Sequence, residues 1–135
     1  MLRGNISNEV FDSVAFRVDG FLFKKRGEEY PLDREVLAAM NFCFYNTENT
    51  VDVVCVLFDG NEERQREELE EVLCNNDVPY SRMFLVKDDK EVWDLLFRGA
   101  ISYYVDSDEE RMGRVGSEHC LNLSQFYKMF RGRRV

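Results

Sequence analysis

Carboxylates stand at the ends of short apolar runs in this chain. Asp19 falls in Arg17-Val18-Asp19-Gly20-Phe21, Asp59 in Leu57-Phe58-Asp59-Gly60-Asn61, and Asp106 and Asp108 in Tyr103-Tyr104-Val105-Asp106-Ser107-Asp108. Lys87 and Lys90 follow a further run, Arg82 to Val86. Carboxylates gathered with a lysine are the donor set of a Mg²⁺ and phosphate site. The hard cation takes oxygen ligands, typically one or two carboxylates together with phosphate oxygens. The lysine offsets the phosphate charge. Asp19, Asp106 and Asp108 are therefore the candidate metal ligands. Plainer uses compete: Asp19 suits a turn before Gly20, and Asp106 suits a helix cap at Ser107. Lys87 and Lys90 sit beside Asp88 and Asp89, as solvated surface lysines do.

Other reactive side chains offer less. The four cysteines, Cys43, Cys55, Cys74 and Cys120, are widely spaced, without the close pairing of zinc or redox motifs. Cys43 and Cys55 lie in apolar runs and read as buried thiols, which fits a reducing compartment. His119 is the single histidine. Its neighbour Cys120 points to the opposite face if the pair is in a strand, so the two make a poor catalytic dyad.

The elements that must position these residues alternate between strand and helix. Ser13–Val18 reads as a strand with Val14, Phe16 and Val18 on one face, and Phe21–Glu29 as a small hairpin turning at Arg26-Gly27-Glu28. Asp33 caps a helix through Val36, Leu37, Met40 and Phe44. Val51–Phe58 is the strongest strand, and within it Val53–Phe58 is a continuous apolar run of the kind covered on both faces in a parallel sheet. Glu62–Asn75 is a charged helix with Leu69, Val72 and Leu73 inward. Arg82–Val86 is a short strand. Asp89 caps a helix through Val92, Trp93, Leu95 and Leu96 that stops at Gly99. Ile101–Val105, a short helix around Arg111 and Met112, a strand at Cys120–Leu123 and a Ser124-capped helix complete the chain. Strands separated by helices imply βαβ units with right-handed crossovers. The expected fold is α/β, a three-layer sandwich around a mainly parallel sheet, with its crevice beyond the carboxyl ends of the strands.

Length and composition agree with one domain. The chain has 135 residues, of which 44% are hydrophobic and 13% aromatic, enough for a core without staples. The expected core spans about 14–130, with 131–135 as a basic tail. No run approaches the length of a membrane span, and Met1–Asn5 opens no apolar signal region; a cytoplasmic location is expected. A formal net charge of −8 argues against general nucleic-acid binding. Only the tail, with Lys128, Arg131, Arg133 and Arg134, offers a basic patch, and cations there also suit a helix carboxyl end.

These motifs, in this order, resemble the haloacid dehalogenase-like superfamily of phosphatases, with a Rossmannoid fold. The resemblance spans about Val14 to Phe130. Arg17-Val18-Asp19-Gly20-Phe21 stands where the family has its Asp-x-Asp-Gly-Thr motif, and Phe21–Glu29 where it has a flap. Val54–Leu85 looks like the second-motif strand with the helix and strand after it. Lys87 or Lys90 fills the third-motif lysine position. Tyr103–Asp108 is similar to the fourth motif, where acidic residues hold Mg²⁺. The departures lie at the chemical positions. The resemblance puts the nucleophilic aspartate at Arg17, and a guanidinium stays protonated and attacks nothing. The family's Thr is Phe21, and its phosphate-holding Ser/Thr is Phe58. Arg17, Asp19, Phe58 and Lys90 are thus residual motif positions without a catalytic role, and Arg17 is expected to pair with Asp106 or Asp108 in place of a metal.

The expectation is a catalytically degenerate domain without a cofactor, working as a protein-binding or structural module with a protein partner or a second copy. Phe21, Phe23 and Phe130 are the expected interaction surface, since aromatics are enriched at interfaces. Two alternatives are a Mg²⁺-dependent phosphatase using Asp19 as nucleophile, with Asp106 and Asp108 on the metal, and a receiver-like domain with Asp59 as phosphoacceptor.

Overall fold

The computed structural model describes residues 12–131. Ten elements alternate: β1 (Ser13–Arg17), α1 (Arg34–Asn46), β2 (Thr50–Val56), α2 (Glu62–Asn75), β3 (Arg82–Val86), α3 (Asp89–Phe97), β4 (Tyr103–Val105), α4 (Glu109–Val115), β5 (Cys120–Leu121) and α5 (Leu123–Arg131). The strands form one five-stranded sheet in the order β3-β2-β1-β4-β5. Every pairing is parallel. This is an α/β domain with a parallel sheet flanked by helices, consistent with a Rossmannoid sandwich.

Side-chain alternation along the strands builds two cores. Val14 and Phe16 of β1, with Val51 and Val53 of β2, pack against α1, α2 and α5 through Met40, Leu73, Phe126 and Phe130. Ala15, Val54, Val86 and Tyr104 pack on the other face against Val92 and Leu95 of α3 and Val115 of α4. Burying one large apolar side chain stabilises the fold by roughly 1.5–3 kcal/mol, so the sheet is clamped from both sides. The aromatic set of the first core is continuous: Phe126 meets Phe16 and Phe42 edge-on at 5.5 and 6.1 Å.

Several expected details shift. Phe21 and Phe130 are core residues, 1% and 2% exposed, and Phe23 packs against the same cluster. Phe21 turns inward because the segment after β1 folds back: Leu22 N–H bonds Arg17 O, and Asp33 N–H bonds Leu22 O. Phe130 lies on the buried face of α5. Of the expected interaction surface, Phe21 and Phe130 are therefore interior, and Phe23 is half-buried. Val72 of α2 and Phe44 of α1 face water, and Leu73 and Cys43 fill the inward positions. Three caps lie elsewhere than expected. Asp88 caps α3 and Asp108 caps α4. Asn122 rather than Ser124 accepts from the first turn of α5, at Gln125 N. Adjacent acids such as Asp88 and Asp89 are equivalent in a propensity argument, and only the turn geometry chooses between them. No helix among the described residues is long and apolar enough to cross a membrane. Arg133 and Arg134 of the basic tail lie outside the described residues.

Candidate functional site

Alternation sends Arg17, the last residue of β1, to the α3–α4 side of the sheet, at its carboxyl edge. Its side chain is 4% exposed. It is held on three sides. Asp19 accepts from Nη2 at 2.8 Å and from Nε at 3.0 Å. Asp89, the first residue of α3, and the Tyr104 hydroxyl each accept from Nη1 at 3.2 Å. Burial works against the Arg17 cation, but these acceptors outweigh it and hold its pKa above the ordinary arginine value. Arg17 is a fixed charge in the middle of the crevice.

The network continues on both sides. Tyr104 donates to Asp106 at 2.6 Å. Burial and the facing Asp106 push the phenol well up, so it stays a donor. Asp106 is fully buried and meets Arg111 through Nη2 and Nε at 2.7 and 2.8 Å. Arg111 also lies 3.5 Å from Asp108 and donates to Gly20 O. Gly20 has φ +80°, a conformation that favours glycine, and a Cβ there would stand 2.7 Å from Arg111 Nη1 and push this guanidinium aside. On the other side, Asp89 bridges Arg17 to Arg114 at 2.7 Å. Burial raises the Asp89 pKa, and the bonds from Arg114 and Arg17 pull it down further, leaving it below the usual carboxylate range.

The loop after β2 is closed by a residue of α2. Gln65, 4% exposed, accepts at Oε1 from the backbone N–H groups of Phe58 and Asp59, at 3.0 and 2.9 Å. Its Nε2 donates back to Val56 O at 2.8 Å. Two convergent peptide N–H groups at a strand end make an anion nest, and here a neutral amide oxygen fills it. The Phe58 side chain points to water, 76% exposed. Asp59 pairs with Arg64 at 2.7 Å, and that bond with the Asn61 N–H lowers its pKa to about 2.

The sequence-derived candidates are thus distributed unevenly. Arg17, Asp19 and Asp106 meet in one crevice. Asp19 is more than a turn residue, because its carboxylate holds Arg17 and accepts from Val56 N–H at 3.1 Å. The expected pairing of Arg17 with Asp106 or Asp108 is replaced by pairing with Asp19 and Asp89, and Tyr104 alone links Arg17 to Asp106. Asp108 is tied down as the α4 cap, and its bond from Arg111 N–H lowers its pKa. Lys87 and Lys90 are exposed. Cys55, beside this loop, is a protonated thiol, pushed up to about 12 by burial, and Cys43 is raised to about 11 by the same cause.

Asp89, Arg111, Arg114 and Gln65 were not singled out from sequence. One signal was available for Gln65: it is the neutral residue inside Glu62-Glu63-Arg64-Gln65-Arg66-Glu67-Glu68. Among the described residues, no group of three or more His, Cys, Asp or Glu is placed to hold a metal ion. Asp19 and Asp106 are the carboxylates nearest such a role, and both have their oxygens committed to guanidinium donors. A dication there has to displace Arg17 and Arg111 and then share the crevice with their charges, so the donor set does not suit Mg²⁺. The chain matches no family model, no curated protein and no solved structure at a significant level.

Proposed function

We propose that this chain is a catalytically inert α/β domain of the haloacid dehalogenase-like kind, serving as a binding or structural module. The observation that carries the reading is the seat of Arg17. The resemblance implies a nucleophilic carboxylate at position 17 and a lysine at position 87 or 90. The crevice instead holds a guanidinium at 17 and a carboxylate at 89, bonded to each other. Lys87 and Lys90 are present but exposed. An arginine offers no electron pair for attack on phosphorus.

Two further features support the same reading. The backbone donors of Phe58 and Asp59, which would cradle a transferring phosphoryl group, are filled by Gln65. The carboxylates resembling Mg²⁺ ligands are neutralised by Arg17 and Arg111. Each departure replaces a substrate or metal contact with an internal one. What remains is a rigid, charge-balanced end of a sheet, and a rigid scaffold can be used for binding after its chemistry is gone.

An assay with an aryl phosphate and Mg²⁺ tests the reading. The expected result is no hydrolysis above buffer, unchanged by chelator and by Asp19→Asn. Mg²⁺-dependent turnover that Asp19→Asn abolishes would overturn it.

A further inference from the structure

The two edges of the sheet are treated differently by the sequence. β5 is only two residues long and offers little to pair with. β3 is five residues, lies at the opposite edge, and after Arg82 reads Met83-Phe84-Leu85-Val86, without a charge or a proline. Edge strands are normally guarded by charge, proline, bulges or shortness. β3 past Arg82 carries no charge, proline or bulge of its own; the one charge reaching this edge is Arg66 of α2, which donates to Met83 O. A groove of about 930 Å³ runs beside it, lined by Phe44, Tyr45, Val78 and Tyr80 together with Arg66 and Glu70. Phe44 and Tyr45 stand 41% and 71% exposed on that side.

The hydrogen-bond phase of β3 fixes what its free edge presents. Leu57 N–H bonds Val86 O at 2.7 Å, so Val86 faces β2. Strand alternation then turns Phe84 toward β2 and the peptide groups of Met83 and Leu85 outward. Arg66 Nη1 reaches Met83 O from that side at 3.3 Å, which agrees with the assignment. Outward groups at 83 and 85, centred on 84, form a self-complementary pattern. In an antiparallel pair with a two-fold axis at Phe84, Met83 of each copy exchanges hydrogen bonds with Leu85 of the other, and Phe84 lies against its own copy.

The charges on α2 fit the same axis. Glu62, Arg66 and Glu70 repeat at four-residue spacing, with Arg66 already 3.5 Å from Glu62 of its own chain. Arg66 touches β3 at Met83, one residue from the axis. The two copies of Arg66 are then offset by two strand residues, roughly 6.6 Å, near the helical turn of about 5.4 Å. One turn toward the start of α2 is Glu62. Each Arg66 therefore faces Glu62 of the other copy rather than the other Arg66.

We propose that two copies of this chain associate through antiparallel β3–β3 pairing about Phe84, giving a continuous sheet flanked by charge-matched α2 helices. The proposal deepens the binding-module reading and rests on it.

Sedimentation equilibrium of the full chain over rising micromolar concentrations tests this. A monomer–dimer equilibrium is expected, with slowed amide exchange at Met83 and Leu85 in the dimer. Phe84→Lys sets two ammonium groups at the axis and is expected to give a monomer. Arg66→Glu sets acids against acids and is expected to weaken the dimer about tenfold or more. Adding Glu62→Arg restores the match and the dimer. That charge-swap rescue reports on the interface even if Phe84→Lys disturbs folding. A monomer at every concentration, or a dimer indifferent to the charge swap, overturns the pairing. An extended peptide bound along β3 of a monomer also overturns it. Any of these leaves the aryl phosphate result untouched, so the two readings fail separately.

Discussion

Both ends of the sheet bury a charge, but of opposite sign and with opposite access for the partner. At the amino end, Asp52 of β2 is fully buried. Ser13 Oγ donates to it, as do Arg82 N–H at 3.0 Å and Arg82 Nη2 at 2.8 Å. Arg82 reaches in from water, its side chain 51% exposed, and also donates to Ala100 O. At the carboxyl end, in the pair that Arg17 makes with Asp19, the cation is the buried member and the anion is 34% exposed; Asp106 beside it is a buried carboxylate paired with Arg111. The amino end is a clasp that ties β1, β2 and β3 together with one carboxylate. The carboxyl end is a filled crevice, where Arg17 occupies space that the α/β architecture reserves for ligands. The two pairs thus differ in what they hold: the first ties three strands together, and the second fills the carboxyl edge of the sheet beside the Asp106–Arg111 pair.

The contrast has measurable consequences. Removing the exposed member of a pair strands the buried charge, whereas removing the buried member lets the other return to water. Arg82→Ala strands Asp52 and is expected to cost about 3–5 kcal/mol in urea unfolding. Arg17→Met removes the buried cation, while Asp89 keeps Arg114 and Asp19 keeps Val56 N–H. The expected cost is smaller, about 1–3 kcal/mol. A larger loss for Arg17→Met than for Arg82→Ala would reverse the comparison.

Gln65→Ala sharpens it at the neighbouring loop. Freeing two N–H groups costs about 1 kcal/mol, with faster amide exchange confined to Phe58 and Asp59. Acid separates the ends by another route. The pKa of Asp89 is depressed in the folded state, so its contribution is full above the unfolded aspartate value near 4. It is lost as pH falls through the lower folded value. Stability is expected to drop below about pH 4, less steeply in Asp89→Asn than in the native chain. Lys90→Ala is the smallest expected effect, within about 0.5 kcal/mol, because Lys90 is exposed.

The architecture was legible because strand and helix periods are local signals. The apolar run from Val53 and the alternation in β1 called for a sheet covered on both faces, and α2 and β3 begin and end where their patterns do. The crevice was only half legible. Arg17, Asp19 and Asp106 lie at strand ends and could be named from spacing. Asp89 and Arg114 could not, since their partners are distant in sequence: 72 residues separate Arg17 from Asp89, and 25 separate Asp89 from Arg114. Arg111 lies only five residues from Asp106, a spacing that by itself marks no site. Exposure of aromatics was also beyond the sequence. Phe21 and Phe130 are interior, while Phe58 and Phe97 are each 76% exposed: the turn after β1 decided Phe21, the loop after β2 decided Phe58, and the helix face decided Phe97 on α3 and Phe130 on α5.

The central claim is that Arg17 occupies the place a metal and a phosphoryl group would need. Amide spectra of the native chain during Mg²⁺ addition test it most directly. The account predicts that the Asp19 and Asp106 resonances stay in place through millimolar Mg²⁺. A saturable shift shared by both residues, with Arg17 leaving its carboxylates, would contradict it.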